Sequence, residues 1–179
     1  MPTLIFRHDL PEEWQFVLVM DERAKGINGM EEIEAFNSLP DMSSEASAEI
    51  CQQVLMQMLP SIIEKDCGQF GASVSRIQAL IGDYFSAAQG GMFASDNVRR
   101  TLEFLLENKA TGIGQTSWGP TGFAVFPDKK SAMQAVDNLI GRDMQVSLRF
   151  AGAENNKAQI NRLVTAEAGL KSDPATLLR

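Results

Sequence analysis

The hydrophobic positions fall into a small number of runs and stripes. Leu4, Ile5 and Phe6 are short and apolar, and residues 14–20 form a continuous hydrophobic run typical of a strand covered on both faces. That run is read as the first main strand. Residues 21–29 carry charges and two glycines and predict a loop, after which residues 30–39 predict a short helix closed by Pro40. From Ser43 the pattern turns helical, with Ile50, Val54, Leu55, Met58, Leu59, Ile62 and Ile63 on one side, Asp41 or Ser43 as N-cap and Pro60 as a kink. A second helix carries Phe70, Val74, Ile77, Ile81 and Phe85, and a third, begun by Ser95 or Asp96, carries Val98, Leu102, Leu105 and Leu106. Gln89-Gly90-Gly91 between them reads as a turn. A glycine-rich loop at 109–122 precedes a strand at 123–126. Asp128 then caps a helix with Ala132, Met133, Val136, Leu139 and Ile140, and Val146, Leu148 and Phe150 alternate as a half-buried strand.

This order predicts an α+β domain over residues 1–152: a small, mostly antiparallel sheet with helices packed on one face. Residues 153–179 are more polar and read as a C-terminal tail held loosely. A chain of 179 residues is about one domain, able to bury roughly 70% of its unfolded surface. The net charge of −7, with sixteen Lys and Arg spread along the chain, argues against a nucleic-acid partner. Two cysteines, no leader and no long apolar run predict a cytoplasmic protein with no membrane partner. The cysteines and the single histidine lack metal-ligand spacing, and the nine methionines, Met56 and Met58 among them, read as core filler.

The densest chemistry lies in the loop. Gly112, Gly114, Gly119 and Gly122 are places for positive φ or for close approach of backbone or ligand, and Pro120 stiffens the exit. Seen alone, the same glycines also fit a tight turn between two strands. Arg7 and His8 suit an acidic group, or a solvated domain edge. Gln89 and Gly90 precede the Ser95 or Asp96 helix start, where an anion is favoured, although a turn accounts for them equally. Arg99, Arg100 and Lys109 read as charges that keep helix surfaces soluble.

The segment Thr111-Gly112-Ile113-Gly114-Gln115-Thr116-Ser117-Trp118-Gly119-Pro120-Thr121 resembles the signature of β-ribofuranosylaminobenzene 5'-phosphate synthases, members of the GHMP kinase superfamily. Leu4-Ile5-Phe6-Arg7-His8, residues 14–19, Glu31-Glu32-Ile33-Glu34-Ala35-Phe36, Ala88-Gln89-Gly90-Gly91 and Glu103-Phe104-Leu105-Leu106-Glu107 agree with it, so the likeness runs over roughly residues 4–150. It is a likeness to the C-terminal, ferredoxin-like half of that family. The family's serine-rich phosphate loop, of the Pro-x-x-x-Gly-Leu-Gly-Ser-Ser kind, belongs to an N-terminal domain that nothing in these residues resembles. The expectation is a piece or split form of a longer enzyme whose other half comes from elsewhere.

The resemblance implies phosphoribosyl transfer from phosphoribosyl pyrophosphate to a 4-aminobenzoate- or 4-hydroxybenzoate-type acid, with loss of carbon dioxide and pyrophosphate. This is an early step to methanopterin, a cofactor of one-carbon metabolism. Such chemistry implies magnesium with the pyrophosphate, and donors that shelter an oxocarbenium-like centre. By the same resemblance the amides of residues 112–116 form an anion nest, and Gln115, Thr116, Ser117 and Thr121 orient ligand oxygens. Trp118 either stacks on the aromatic acid or fills the core or an interface. Two alternatives stand beside this reading. One is an ATP-dependent small-molecule kinase, although the kinases resemble Gly-x-Gly-Gly-Gly here and lack the Trp-Gly-Pro. The other is a non-catalytic regulatory domain that pairs with itself or with a partner through an apolar face.

Overall fold

The computed structural model describes residues 3–26, 29–117 and 119–156. Strand β1 (Gln15–Met20) is followed by four helices, α1 (Met30–Ser38), α2 (Ser44–Gln53), α3 (Leu59–Glu64) and α4 (Cys67–Gln89). Helix α5 (Asp96–Glu107), strands β2 (Gly112–Gln115) and β3 (Thr121–Phe126), helix α6 (Lys129–Asp137) and strand β4 (Ser147–Gly152) complete the order. The sheet is antiparallel throughout, in the order β2-β3-β1-β4. Taking α5 and α6 as the two crossover helices, this is the β-α-β-β-α-β ferredoxin-like arrangement, with α1 to α4 inserted after β1.

The caps follow the sequence. Ser43 accepts from the Ala46 amide, Ser95 from Val98 and Asp128 from Ser131, each satisfying an orphan donor of a helix start. Pro60 acts in a different way from a simple kink. A π-helical turn at Val54–Met58 precedes it, with the Leu59 amide bonded to the Val54 carbonyl, and the proline then occupies the first turn of α3, where it needs no donor.

One detail of the layering departs from the sequence expectation: helices flank both faces of the sheet. Val17, Val19, Ala124 and Phe126 point to one side, where Val98, Leu102 and Leu105 of α5 and Ala132 and Ala135 of α6 cover them. Val125, between Ala124 and Phe126 on β3, faces the other side and packs with Trp14, Ile62 of α3 and Phe70 of α4. A strand apolar on both faces needs cover on both, and the inserted helices supply the second layer. Asn155 ties the chain beyond β4 to the segment before β1, donating to the Leu10 carbonyl at 2.9 Å and accepting from the Leu10 amide at 3.0 Å. The rest of the expected tail, 157–179, lies outside the described residues. Among the described residues no helix is long and apolar enough to cross a membrane.

Candidate functional site

Antiparallel register brings one end of the sheet together. Met20 lies opposite Thr121 and Gln115 opposite Gly122, so the β2–β3 turn and the residue after β1 share that end with the C-terminus of α4 and the start of α5. The turn closes on itself. Thr116 donates from its amide (2.9 Å) and its hydroxyl (3.0 Å) to the Thr121 carbonyl, and its own carbonyl accepts from the Gly119 amide. Trp118 lies outside the described residues.

Gln115 joins these elements. Its side-chain oxygen accepts from the Ala94 amide at 2.7 Å, and its Nε2 donates to Gln89 Oε1 and to the Ser117 carbonyl. Its backbone amide donates to Gln78 Oε1 at 2.9 Å. Gln115→Ala is expected to leave the Ala94 amide without its partner and to cost about 1–2 kcal/mol. Urea unfolding together with faster amide exchange at Ala94 checks this.

Several sequence-predicted roles change at this point. Gly112 and Gly114 belong to a strand, and neither they nor Gly122 take positive φ; in the turn that conformation falls to Ser117, at φ 46°. The glycines make room for neighbours: a Cβ on Gly114 would stand 2.5 Å from the Phe123 ring, and one on Gly122 would stand 2.6 Å from both Val98 and Leu102 side chains. The anticipated anion nest is largely spent within the protein. Ile113 donates to Ser75 Oγ, Gln115 to Gln78 and Thr116 to Thr121. Gly90, at φ 81°, is the left-handed C-cap of α4, and Gln89 is that helix's last residue.

The start of α5 already holds a carboxylate. Asp21, 5% exposed, accepts from Ser95 Oγ at 2.8 Å and Asn97 Nδ2 at 3.0 Å through Oδ2, and from the Arg23 amide through Oδ1. Burial pushes this carboxyl up, but the Ser95 and Asn97 hydrogen bonds, then the Arg23 amide and guanidinium, outweigh it and hold it below the usual aspartate value. The anion expected at this helix start is therefore the protein's own side chain. Sequence reasoning missed Asp21. The signal was an acid directly after the apolar run at 14–20, but the partners on α5, Ser95 and Asn97, lie more than seventy residues away.

Arg7 is not brought to the turn. It is exposed, three residues before Leu10, which is fastened by Asn155 at the far end of β1. Three residues reach about 10 Å, whereas a six-residue strand spans about 20 Å. Arg99 and Arg100 pair with Asp96 and Glu103 on the surface of α5. Lys109 lies within the α5–β2 connection, at φ 76°.

What the elements do enclose is a cleft of about 250 Å³ between α1, α4 and the turn. Phe36, Ile81 and Phe85 supply its apolar wall, and Gln78, Gln89, Gln115 and Ser117 its polar rim. The Phe36 and Phe85 rings meet edge to face at 5.8 Å. Gly82 lets Met92 approach α4, since a Cβ there would stand 2.6 Å from the Met92 side chain. Among the described residues no three His, Cys, Asp or Glu side chains are grouped to hold a metal ion.

Residues 58–144 match the family described as GHMP kinases, C terminal. The chain is 28% identical over 141 residues to the β-ribofuranosylphenol 5'-phosphate synthase of Methanothermobacter thermautotrophicus, covering 78% of this chain and 42% of that protein. Against the synthase of the same name from Archaeoglobus fulgidus it is 32% identical over 122 residues, 68% of this chain and 36% of that protein. It thus spans about two fifths of the length of these curated relatives. Among solved structures, mevalonate diphosphate decarboxylase from Staphylococcus aureus superposes with a TM-score of 0.60 at 12% identity, over 81% of this chain and 46% of that one, a likeness of fold alone. Just under half of the chain thus matches the C-terminal family of the GHMP kinases, and 68–78% of it is similar in sequence to β-ribofuranosylphenol 5'-phosphate synthases.

Proposed function

We propose that this chain is the C-terminal part of a synthase that transfers the phosphoribosyl group of phosphoribosyl pyrophosphate to a 4-hydroxybenzoate- or 4-aminobenzoate-type acid, releasing carbon dioxide and pyrophosphate, in methanopterin biosynthesis. The observation that carries this reading is the sequence similarity to the synthases, which extends over 68–78% of the chain. Strands β2 and β3, which carry the two ends of the segment that resembles the synthase signature, pair as a rigid base for contacts to substrate, and Gln115 and Ser117 line the cleft beside it. Since the described residues offer no metal cluster, magnesium would arrive on the pyrophosphate. The phosphate-binding donors would come from the part of the relatives that this chain does not span.

The reading predicts a division of labour. Titrated with phosphoribosyl pyrophosphate and magnesium, this chain alone should show weak binding or none. Mixed with the N-terminal portion of the Methanothermobacter synthase, it should bind tightly and release pyrophosphate and carbon dioxide when the aromatic acid is added. Turnover by this chain alone would refute the half-site idea. Consumption of ATP by the reunited halves, without pyrophosphate release from phosphoribosyl pyrophosphate, would replace the synthase with a kinase.

A further inference from the structure

We infer that Gln78 is a positioning residue for the turn within the segment that resembles the synthase signature. Through the Gln115 backbone it sets where Gln115 and Ser117 stand, without itself touching substrate. What the turn does to substrate rests on the synthase reading; that Gln78 sets the turn rests on the hydrogen bonds alone.

One face of α4 is laid along β2 as a graded rail. Cys67 Sγ lies 3.4 Å from Thr111 Oγ1, and Gly71 meets Gly112 backbone to backbone. Further along, Ser75 Oγ accepts from the Ile113 amide and Gln78 Oε1 from the Gln115 amide, each at 2.9 Å. Positions 67, 71, 75 and 78 fall on one side of a helix. The bridging group lengthens along that side, from none at Gly71 to a hydroxyl at Ser75 and a carboxamide at Gln78.

Strand β2 is an edge of the sheet, where alternate amides are ordinarily left to water or to another chain. Here α4 side chains take them. Ser75 holds the amide in mid-strand, and Gln78 holds the last one before the turn. The Gln115 side chain then reaches the Ala94 amide, Gln89 Oε1 and the Ser117 carbonyl, so its backbone is the joint between the strand and those contacts. Because the Gln115 N–H can only donate, it fixes the sense of the Gln78 carboxamide and commits its oxygen within the protein. That oxygen aims the turn.

The test begins with the full chain alone, read by amide hydrogen exchange. Gln78→Met keeps the length of the side chain and removes the acceptor. It should speed exchange at Gln115 about tenfold while Ile113 keeps its protection, and Ser75→Ala should do the reverse. Gln78→Glu, with an oxygen at the same reach, should restore Gln115 protection, whereas Gln78→Asn, one methylene short, should not. Unchanged exchange at Gln115 in Gln78→Met, or an equal rise at every protected amide, would overturn the positioning role.

Mixing the chain with the N-terminal portion of the Methanothermobacter synthase gives the second readout. Gln78→Met should lower kcat about tenfold and leave KM for the aromatic acid within about twofold, since a group that only aims others acts on the transition state. Gln78→Glu should recover most of the rate. A raised KM at unchanged kcat would make Gln78 a substrate contact instead, and unchanged values of both would show that the turn needs no aiming; either overturns the proposal. A parent mixture that releases no pyrophosphate would remove the synthase reading, and the Gln115 exchange pattern would then uphold or remove Gln78 as the residue that sets the turn.

Discussion

Gly112→Ala is expected to unfold or strongly loosen the domain, because there is no room for a methyl group between β2 and α4. A Cβ at this position would stand 2.5 Å from Gly71 Cα and closer still to the Gly71 carbonyl, and one on Gly71 would meet the backbone of Thr111 in the same way. The obstacle is backbone on both sides, so no side-chain rotation relieves it. Either α4 shifts off the strand, which breaks the Ser75 and Gln78 bonds to the Ile113 and Gln115 amides, or the strand distorts. Overpacking of this kind costs about 3 kcal/mol or more. For a chain of this size that lowers the melting temperature by roughly 6–12 °C. Gly71→Ala should do the same, and the double variant should cost much less than the sum, since both substitutions force the same separation. A melting temperature within about 2 °C of the parent for Gly112→Ala would show that α4 yields at little cost.

The same pair of glycines marks where the sequence stops being legible. Helix starts at Ser43, Ser95 and Asp128 could be read because a cap and the amide it satisfies are three residues apart. Strand β1 could be read because its apolar run is continuous. Strand β2 was hidden inside what looks like a loop: half of Gly112–Gln115 is glycine, which propensity assigns to turns. Those residues are glycine because α4 backbone and the Phe123 ring occupy the space where side chains would stand, a demand made by elements distant in the chain. The site follows the same rule. Gln115 and Gln89 were legible as candidates through motif resemblance, but their mutual bond, the Ala94 contact and the Phe36–Phe85 wall exist only once α1, α4 and the hairpin meet. Arg99 and Arg100, read as solubilising charges, pair with Asp96 and Glu103 on α5, and the helix start read as favourable for an anion holds Asp21.

Asp21 carries the second large expected effect. Its carboxylate links the end of β1 to the start of α5, and its amide donates to the Pro120 carbonyl in the turn, so one residue fastens three parts of the site. Removing the carboxylate in Asp21→Ala strands the Ser95 hydroxyl, the Asn97 amide and the Arg23 N–H in a largely dry place, at a cost of about 3 kcal/mol. Asp21→Asn keeps one acceptor but turns a second donor toward donors, and should cost about half as much. Acid provides the discriminating measurement. Because the folded carboxyl lies below the usual aspartate value near 3.9, the unfolded chain takes up its proton first as pH falls. The contribution of Asp21 is therefore complete at neutral pH, begins to fall as pH approaches about 4, and is lost below the depressed folded value. Unfolding free energy measured from neutral pH into acid should decline less steeply for Asp21→Asn than for the parent, with the two curves converging at the acid end. Parallel curves would mean that the carboxylate is not what holds α5 to the sheet. Ser95→Ala in the Asp21→Asn background should then add little to the change in acid slope, because the slope comes from the charge and the hydroxyl acts on stability through that same charge.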